Sequence, residues 1–181
     1  MCGRYFFQFD ENTSSQWQSQ MTQLELFDFR QGEIFPSQKI LTLHQGQNDE
    51  LRPDILVWGM TGYQGRLIIN ARREGIDQKI TFRPWLHQRC AVFANGFYEW
   101  TKRGKEKSKI YIRKEKEDVI YLAGIYNDKG ECVIVTGAAQ DEMAKIHDRT
   151  PIIMNECMMR SYLSRQTDFI VDNENLLYQR V

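Results

Sequence analysis

The feature that most constrains this chain lies between Arg89 and Gly137. Short apolar runs (RCAVF, GFYEW, KIYIRK, VIYLAGIY, CVIVTG) follow one another, with RGKEK, EKED and NDKG among the breaks. The runs are rich in β-branched and aromatic residues and the breaks in turn formers, so each run reads as a strand. A parallel neighbour would need a crossover of about a dozen residues or more, which these turns cannot supply. GRYFFQF, KILTL, LRPDILVWG and RLIIN add strands upstream, TPIIM and DFIVD downstream, and RQGEIFPSQ reads as a loop. Apolar residues at Trp17, Met21, Leu24 and Phe27 give residues 12–27 a helical period, and helices are also expected at DEMAKI and NECMMRSYL. The expected fold is therefore α+β and mostly antiparallel, as one domain over residues 1–181.

Composition narrows the function classes. With 41% hydrophobic and 27% charged residues in 181, the chain has enough apolar material for a sizeable core. No apolar run is long enough to span a bilayer and no basic-then-apolar segment opens the chain, so a cytoplasmic protein without a membrane is expected. Cys2, Cys90, Cys132 and Cys157 are far apart with no C-x-x-C pair, which suggests neither a zinc site nor disulfides. Neither G-x-G-x-x-G nor a Walker-type loop occurs, so no nucleotide cofactor is expected. Lys plus Arg and Asp plus Glu both number 24, which argues against a generic nucleic-acid coat. Local basic grooves remain open at Arg72-Arg73 and in TKRGKEKSK (101–109), although such a run also suits a solvated hairpin tip.

The chain opens MCGRYFF, with one of its four cysteines at position 2. Removal of Met1 would leave Cys2 with a thiol and a free α-amine on adjacent carbons, two groups that both have a nucleophilic form near neutrality. A small apolar residue ahead of a first strand is the plainer reading. Three further places set polar residues among apolar ones: IINARRE with Asn70, GFYEW with Glu99, and KIHDRTPIIM with His147, Asp148 and Arg149. Singly these suit a turn-capping amide, a carboxylate pointing to solvent from a half-buried strand, and a surface histidine. Together they suit attack of an amine on a carbonyl. A carboxylate whose pKa is raised by aromatic neighbours can take the amine's proton and return one to the departing oxygen. A histidine can supply a second proton, an amide can orient the amine, and arginines can hold a phosphate or carboxylate.

MCGR, INAR, GFYEW and IHDR-x-P-I, in that order from position 2 to Ile153, together resemble the SRAP family of SOS-response-associated peptidases, whose members shield abasic sites in single-stranded DNA. The resemblance implies a bifurcated, barrel-like sheet flanked by helices, and a monomer that needs no metal or organic cofactor. It implies that Cys2, freed of Met1, forms a thiazolidine with the abasic-site aldehyde, with associated autoproteolytic (peptidase or hydrolase, or lyase) activity. The family's amine-positioning asparagine falls on Asn70, its acid/base glutamate on Glu99, and its histidine for sugar opening and crosslink reversal on His147. DNA contacts fall on Arg4, Arg72 and Arg149, on Thr136 in IVTGAAQ, on Pro36 in IFPSQ and on Trp58. The family's WG-x-x-P-x-W stretch is WGMTGYQ here, so Trp58 and Gly59 remain without the proline and the second tryptophan. ANGFYEW carries Asn95 where the family often has aspartate.

Two other classes compete. Class II glutamine amidotransferases also begin MCG and use the cysteine as an N-terminal nucleophile on an amide. A non-catalytic single-stranded DNA-binding module would stack bases on Trp58, Trp85 or Trp100 and hold phosphates with Arg72-Arg73.

Overall fold

Alternation along RYFF sets the first contact between layers. Successive side chains of a strand point to opposite faces, and in β1 (Arg4–Phe7) Tyr5 and Phe7 are buried while Arg4 and Phe6 are half-exposed. The computed structural model describes residues 2–9, 28–46, 48–103, 106–169 and 174–181. In it β1 pairs with β2 (Gly32–Ile34) on one side and β9 (Gly96–Arg103) on the other. β9 continues into β10 (Glu106–Lys114), and β15 (Leu176–Arg180) closes the far edge of this antiparallel five-stranded sheet.

The second sheet curls on itself. β3 (Lys39–Gln45) lies between β4 (Leu51–Trp58) and β8 (Arg89–Ala94), and β8 pairs with β11 (Ile120–Tyr126). β12 (Glu131–Ala138) pairs with both β11 and β4, closing a five-strand ring. All of these pairings are antiparallel except β4–β12.

β12 then leaves the ring and forks the sheet. On one edge it passes from β4 to β7 (Asn70–Arg72), parallel and opposite Ile134–Thr136. On the other it passes from β11 to β13 (Arg149–Pro151), antiparallel and opposite Thr136–Ala138. β5 (Met60–Thr61) and β6 (Leu67–Ile68) make a small hairpin ahead of β7, and β14 (Ile153–Met154) pairs with β11. α1 (Asp141–Ala144) links β12 to β13. α2 (Glu156–Leu163) is capped by Asn155, whose side chain accepts from the Met158 N–H at 3.0 Å, and it buries Met159, Tyr162 and Leu163.

The two sheets meet through aromatic side chains. Tyr5 and Trp58 stand edge to face at 5.3 Å between ring centroids, and Phe7 meets Phe93 at 5.7 Å. The expected mostly antiparallel α+β fold with a barrel-like sheet is the one found.

Three local expectations differ. GEI is a strand rather than loop because β1 recruits it. TPIIM splits at Ile152, which bridges two strands: its N–H donates to Val135 O at 2.9 Å and its carbonyl accepts from Ala123 N–H at 3.0 Å. The last strand is Leu176–Arg180, set by pairing with β10. In DFIVD, Asp168 and Phe169 are not in a strand, and the rest of that segment lies outside the described residues, as does the whole of the helix expected over residues 12–27.

Candidate active site

Cys2 lies just ahead of β1 and is wholly buried. The fork in β12 brings β7 beside it, and Asn70 Nδ2 donates to the Cys2 carbonyl at 2.8 Å. Asn70 Oδ1 is also buried and has no hydrogen-bond partner among the described residues. A buried acceptor left unsatisfied in this way costs free energy, and it is placed to receive an N–H. Cys2 Sγ donates weakly to Arg4 O at 3.5 Å.

Glu99 is 2% exposed and turns to the same side of β9 as buried Phe97. This decides between the two readings of GFYEW: the carboxylate points inward, not to solvent. It also corrects the cause expected for its pKa. Tyr98 and Trp100, as alternate residues, lie on the opposite face, so they do not flank the carboxyl group. Burial itself raises the Glu99 pKa above the usual carboxylate range, partly offset by His147. Cys2 is corrected as well. Burial first, and the negative Glu99 second, push its thiol well above the ordinary range, so the side chain is a neutral thiol at pH 7.

His147 follows the last turn of α1, where its N–H donates to Met143 O at 3.0 Å. Its Nδ1 accepts from the Arg149 N–H at 3.0 Å and lies 2.7 Å from Asp148 Oδ1. A bare Nδ1 suits the first contact and an Nδ1–H the second. Cys2, Asn70, Glu99 and His147 thus converge: a hydrogen bond joins Asn70 to Cys2, and electrostatic interactions join Cys2 to Glu99 and Glu99 to His147.

Behind this group sits an ion pair that sequence reasoning missed. Arg149 is 8% exposed. Its Nη2 donates to Glu74 Oε2 at 2.8 Å, Thr136 O at 2.7 Å and Thr136 Oγ1 at 3.3 Å. Glu74 also accepts from the Ala138 N–H at 3.2 Å. The Arg149 guanidinium, above all its hydrogen bond, holds the Glu74 carboxyl down at about 2. Glu74 stands in the quoted IINARRE motif; its signal was an acidic residue directly behind two arginines. The pair ties the chain just after β7 to β12 and β13, and so fixes Asn70 relative to His147.

The residues expected to contact DNA divide. Arg72 is exposed. Arg4 is half-exposed, pairs with Glu33 at 3.2 Å and holds its guanidinium 4.4 Å from the Phe35 ring centre, next to half-buried Pro36. Trp58 is 0% exposed, packs on Tyr5 and donates through Nε1 to Ile69 O at 3.0 Å, so its ring is core and cannot stack on a base. Thr136, also 0% exposed, braces Arg149 instead of meeting solvent. Arg149, spent on Glu74 and Thr136, is a structural cation in this state. Among the described residues no group of three or more His, Cys, Asp or Glu could hold a metal ion, and no helix is long and apolar enough to cross a membrane.

Comparison with known proteins identifies the family and the fold. The Escherichia coli K12 abasic site processing protein YedK is 31% identical over 143 residues, which span 74% of this chain and 64% of that protein. The Bacillus subtilis abasic site processing protein YoqW is 34% identical over 157 residues, spanning 75% and 67%. The chain thus matches about two-thirds of the length of these relatives. A crystal structure of a Bacteroides thetaiotaomicron protein superposes with a TM-score of 0.77 at 18% identity, covering 99% of this chain and 92% of that one, which shows the shared fold. The family described as SOS response associated peptidase (SRAP) matches residues 1–180, and the chain belongs to it.

Proposed function

We propose that this protein senses abasic sites in single-stranded DNA and traps them as a covalent thiazolidine on Cys2 once Met1 has been removed. The observation that carries the reading is the enclosure of Cys2 between an amide and a carboxylate. Asn70 anchors the Cys2 carbonyl and offers a buried acceptor that nothing else fills. Glu99 has a pKa raised toward the range useful for proton transfer. The curated relatives named as abasic site processing proteins point the same way.

The reaction balances without a cofactor. The Cys2 α-ammonium gives a proton to Glu99, and the amine attacks C1′ of the open-chain sugar, with Asn70 Oδ1 accepting one N–H to orient it. The carbonyl oxygen takes a second proton from nitrogen as it becomes a hydroxyl, Glu99 returns its proton to that leaving hydroxyl, water departs and a protonated imine remains. Sγ then adds to the imine carbon while its proton passes to nitrogen, closing the five-membered ring. The net change is protein plus aldehyde to adduct plus water. His147, acting with Glu99, assists opening of the cyclic sugar. Arg72 and Arg4 bind flanking phosphates. Removal of Met1, by an aminopeptidase or by the chain's own peptidase action, comes first.

Intact-protein mass spectrometry after mixing with an abasic-site oligonucleotide tests this. The expected product is the mass of Met1-free protein plus DNA minus water, absent with Cys2→Ala. Full removal of Met1 with no adduct overturns the proposal.

A further inference from the structure

The outer face of the five-stranded sheet carries more aromatic surface than its fold uses. Antiparallel sheets that cover a core on one side normally turn polar side chains to water on the other. Here Phe6 on β1, Tyr98 and Trp100 on β9 and Tyr111 on β10 share the outer face, all half-buried. Phe6 stands opposite Gly96, and Tyr98 opposite Tyr111. A Cβ at Gly96 would lie 2.5 Å from Ile112 O and 2.7 Å from the Tyr111 ring, so only glycine lets Tyr111 lean across the strand. Tyr111 thereby reaches Phe6, with ring centroids 6.2 Å apart, and Tyr98, 5.1 Å apart, making a continuous row.

Cations sit on the same rings. Lys109 Nζ lies 3.9 Å from the Tyr98 ring centre and the Arg4 guanidinium 5.2 Å from that of Trp100. One carboxylate, Glu33, meets Lys109 at 2.7 Å and Arg4 at 3.2 Å. Its pKa is lowered because these two cations outweigh the opposing effect of burial. The sequence TKRGKEKSK, which runs from the end of β9 to Lys109, holds five basic residues, Lys109 among them, and one glutamate.

We infer that this face is a stacking platform for unpaired nucleobases of the DNA strand that leaves the lesion. The inference rests on the proposed trapping of single-stranded abasic DNA at Cys2. Aromatic faces accept any base and cations beside them meet the phosphates, which is the chemistry of sequence-tolerant single-strand binding. Position also favours it. Arg4 is two residues from Cys2 and on the outer face, so a strand passing the corner made by Arg4, Phe35 and Trp100 arrives at Tyr98 and Tyr111. Lys109 and Arg4 exchange Glu33 for phosphate as it does so.

The test uses Cys2→Ala, which forms no covalent bond, and fluorescence anisotropy with oligonucleotides carrying a stable abasic analogue. Flanks of about two and about eight nucleotides are compared. One stacked base contributes roughly tenfold in affinity or more. The long-flank oligonucleotide is therefore expected to bind at least about tenfold tighter, and Tyr98→Leu or Tyr111→Leu to remove most of that advantage. Lys109→Gln, a surface change that leaves the rings in place, is expected to reduce the salt slope for the long-flank oligonucleotide by about one. The platform is overturned if the tyrosine variants, folded by circular dichroism, keep the full long-flank advantage, or if Lys109→Gln keeps the full salt slope. A wild-type chain that forms no adduct, alongside an intact long-flank advantage lost in the variants, refutes the trapping reading and supports the platform.

Discussion

Replacing Glu74 by glutamine tests the ion pair behind the active site, and its magnitude follows from the structure. The Glu74 pKa falls from 4.5 to about 2, chiefly through its hydrogen bond to Arg149. At 1.36 kcal/mol per pKa unit that is an upper limit of about 3 kcal/mol. The Glu74 side chain is 49% exposed, however, against 10% for Arg149, so solvent screens the interaction. About 1 kcal/mol should survive, or some 2–4 °C in Tm for a chain of this size. The folded-state pKa is depressed, so this stability is fully present above the unfolded pKa of about 4.5. It is lost as pH falls through the folded value near 2. Urea unfolding of wild type and Glu74→Gln at pH 7, 5 and 3 should therefore show a constant gap between pH 7 and 5 that narrows at pH 3. A gap that is the same at all three values would refute an electrostatic origin. The adduct-formation rate should fall as well, since the Arg149 N–H that meets His147 Nδ1 belongs to the strand this pair holds.

Glu99→Gln is expected to slow adduct formation about a hundredfold or more. Because the wild-type carboxylate must be deprotonated to accept the amine's proton, and its pKa is raised, the wild-type rate should climb with pH along a limb lying above pH 4.5, and a pH–rate profile of the variant should lack that limb. Trp58→Ala should cost about 3–5 kcal/mol by urea unfolding, as a large aromatic removed from a core does. Trp58→Phe should bind single-stranded DNA like wild type; weakened binding by a folded Trp58→Phe would restore a stacking role for Trp58.

The chain's local patterns carried the strands because period-two alternation and turn residues are local signals. Arg89–Ala94, Ile120–Tyr126 and Glu131–Ala138 each coincide with an apolar run to within a residue or two. What they could not carry was the fork. That β12 exchanges β4 for β7 along its length depends on pairings between segments 60 or more residues apart, and no residue of CVIVTG announces that exchange or the one from β11 to β13 on its other edge. The same limit applies to Glu99 and Trp58. Their residue types were legible, but inward or outward orientation depends on which face of each strand the other sheet covers. Glu99 was expected to owe its pKa to its neighbours in sequence and owes it to burial. Glu74 stayed hidden because its partner, Arg149, lies 75 residues away.

The neutral Cys2 thiol bears on the order of events in the proposed reaction. A thiolate at this position would attack the aldehyde first and give a reversible hemithioacetal. Burial and the Glu99 charge both disfavour the thiolate, so the thiol is a poor first nucleophile for a carbonyl. An imine is a stronger electrophile, especially when protonated, and the proton that Sγ must lose is the one the ring nitrogen must gain. Glu99 interacts with Sγ and, in the proposed sequence, accepts the amine's proton, so one carboxylate can pass that proton across the closing ring. In the proposed reaction, the burial that slows the thiol keeps it unreactive toward other electrophiles until the amine has bound the aldehyde. Chemoselectivity in that scheme comes from the thiol meeting only a carbonyl that the neighbouring amine has already captured.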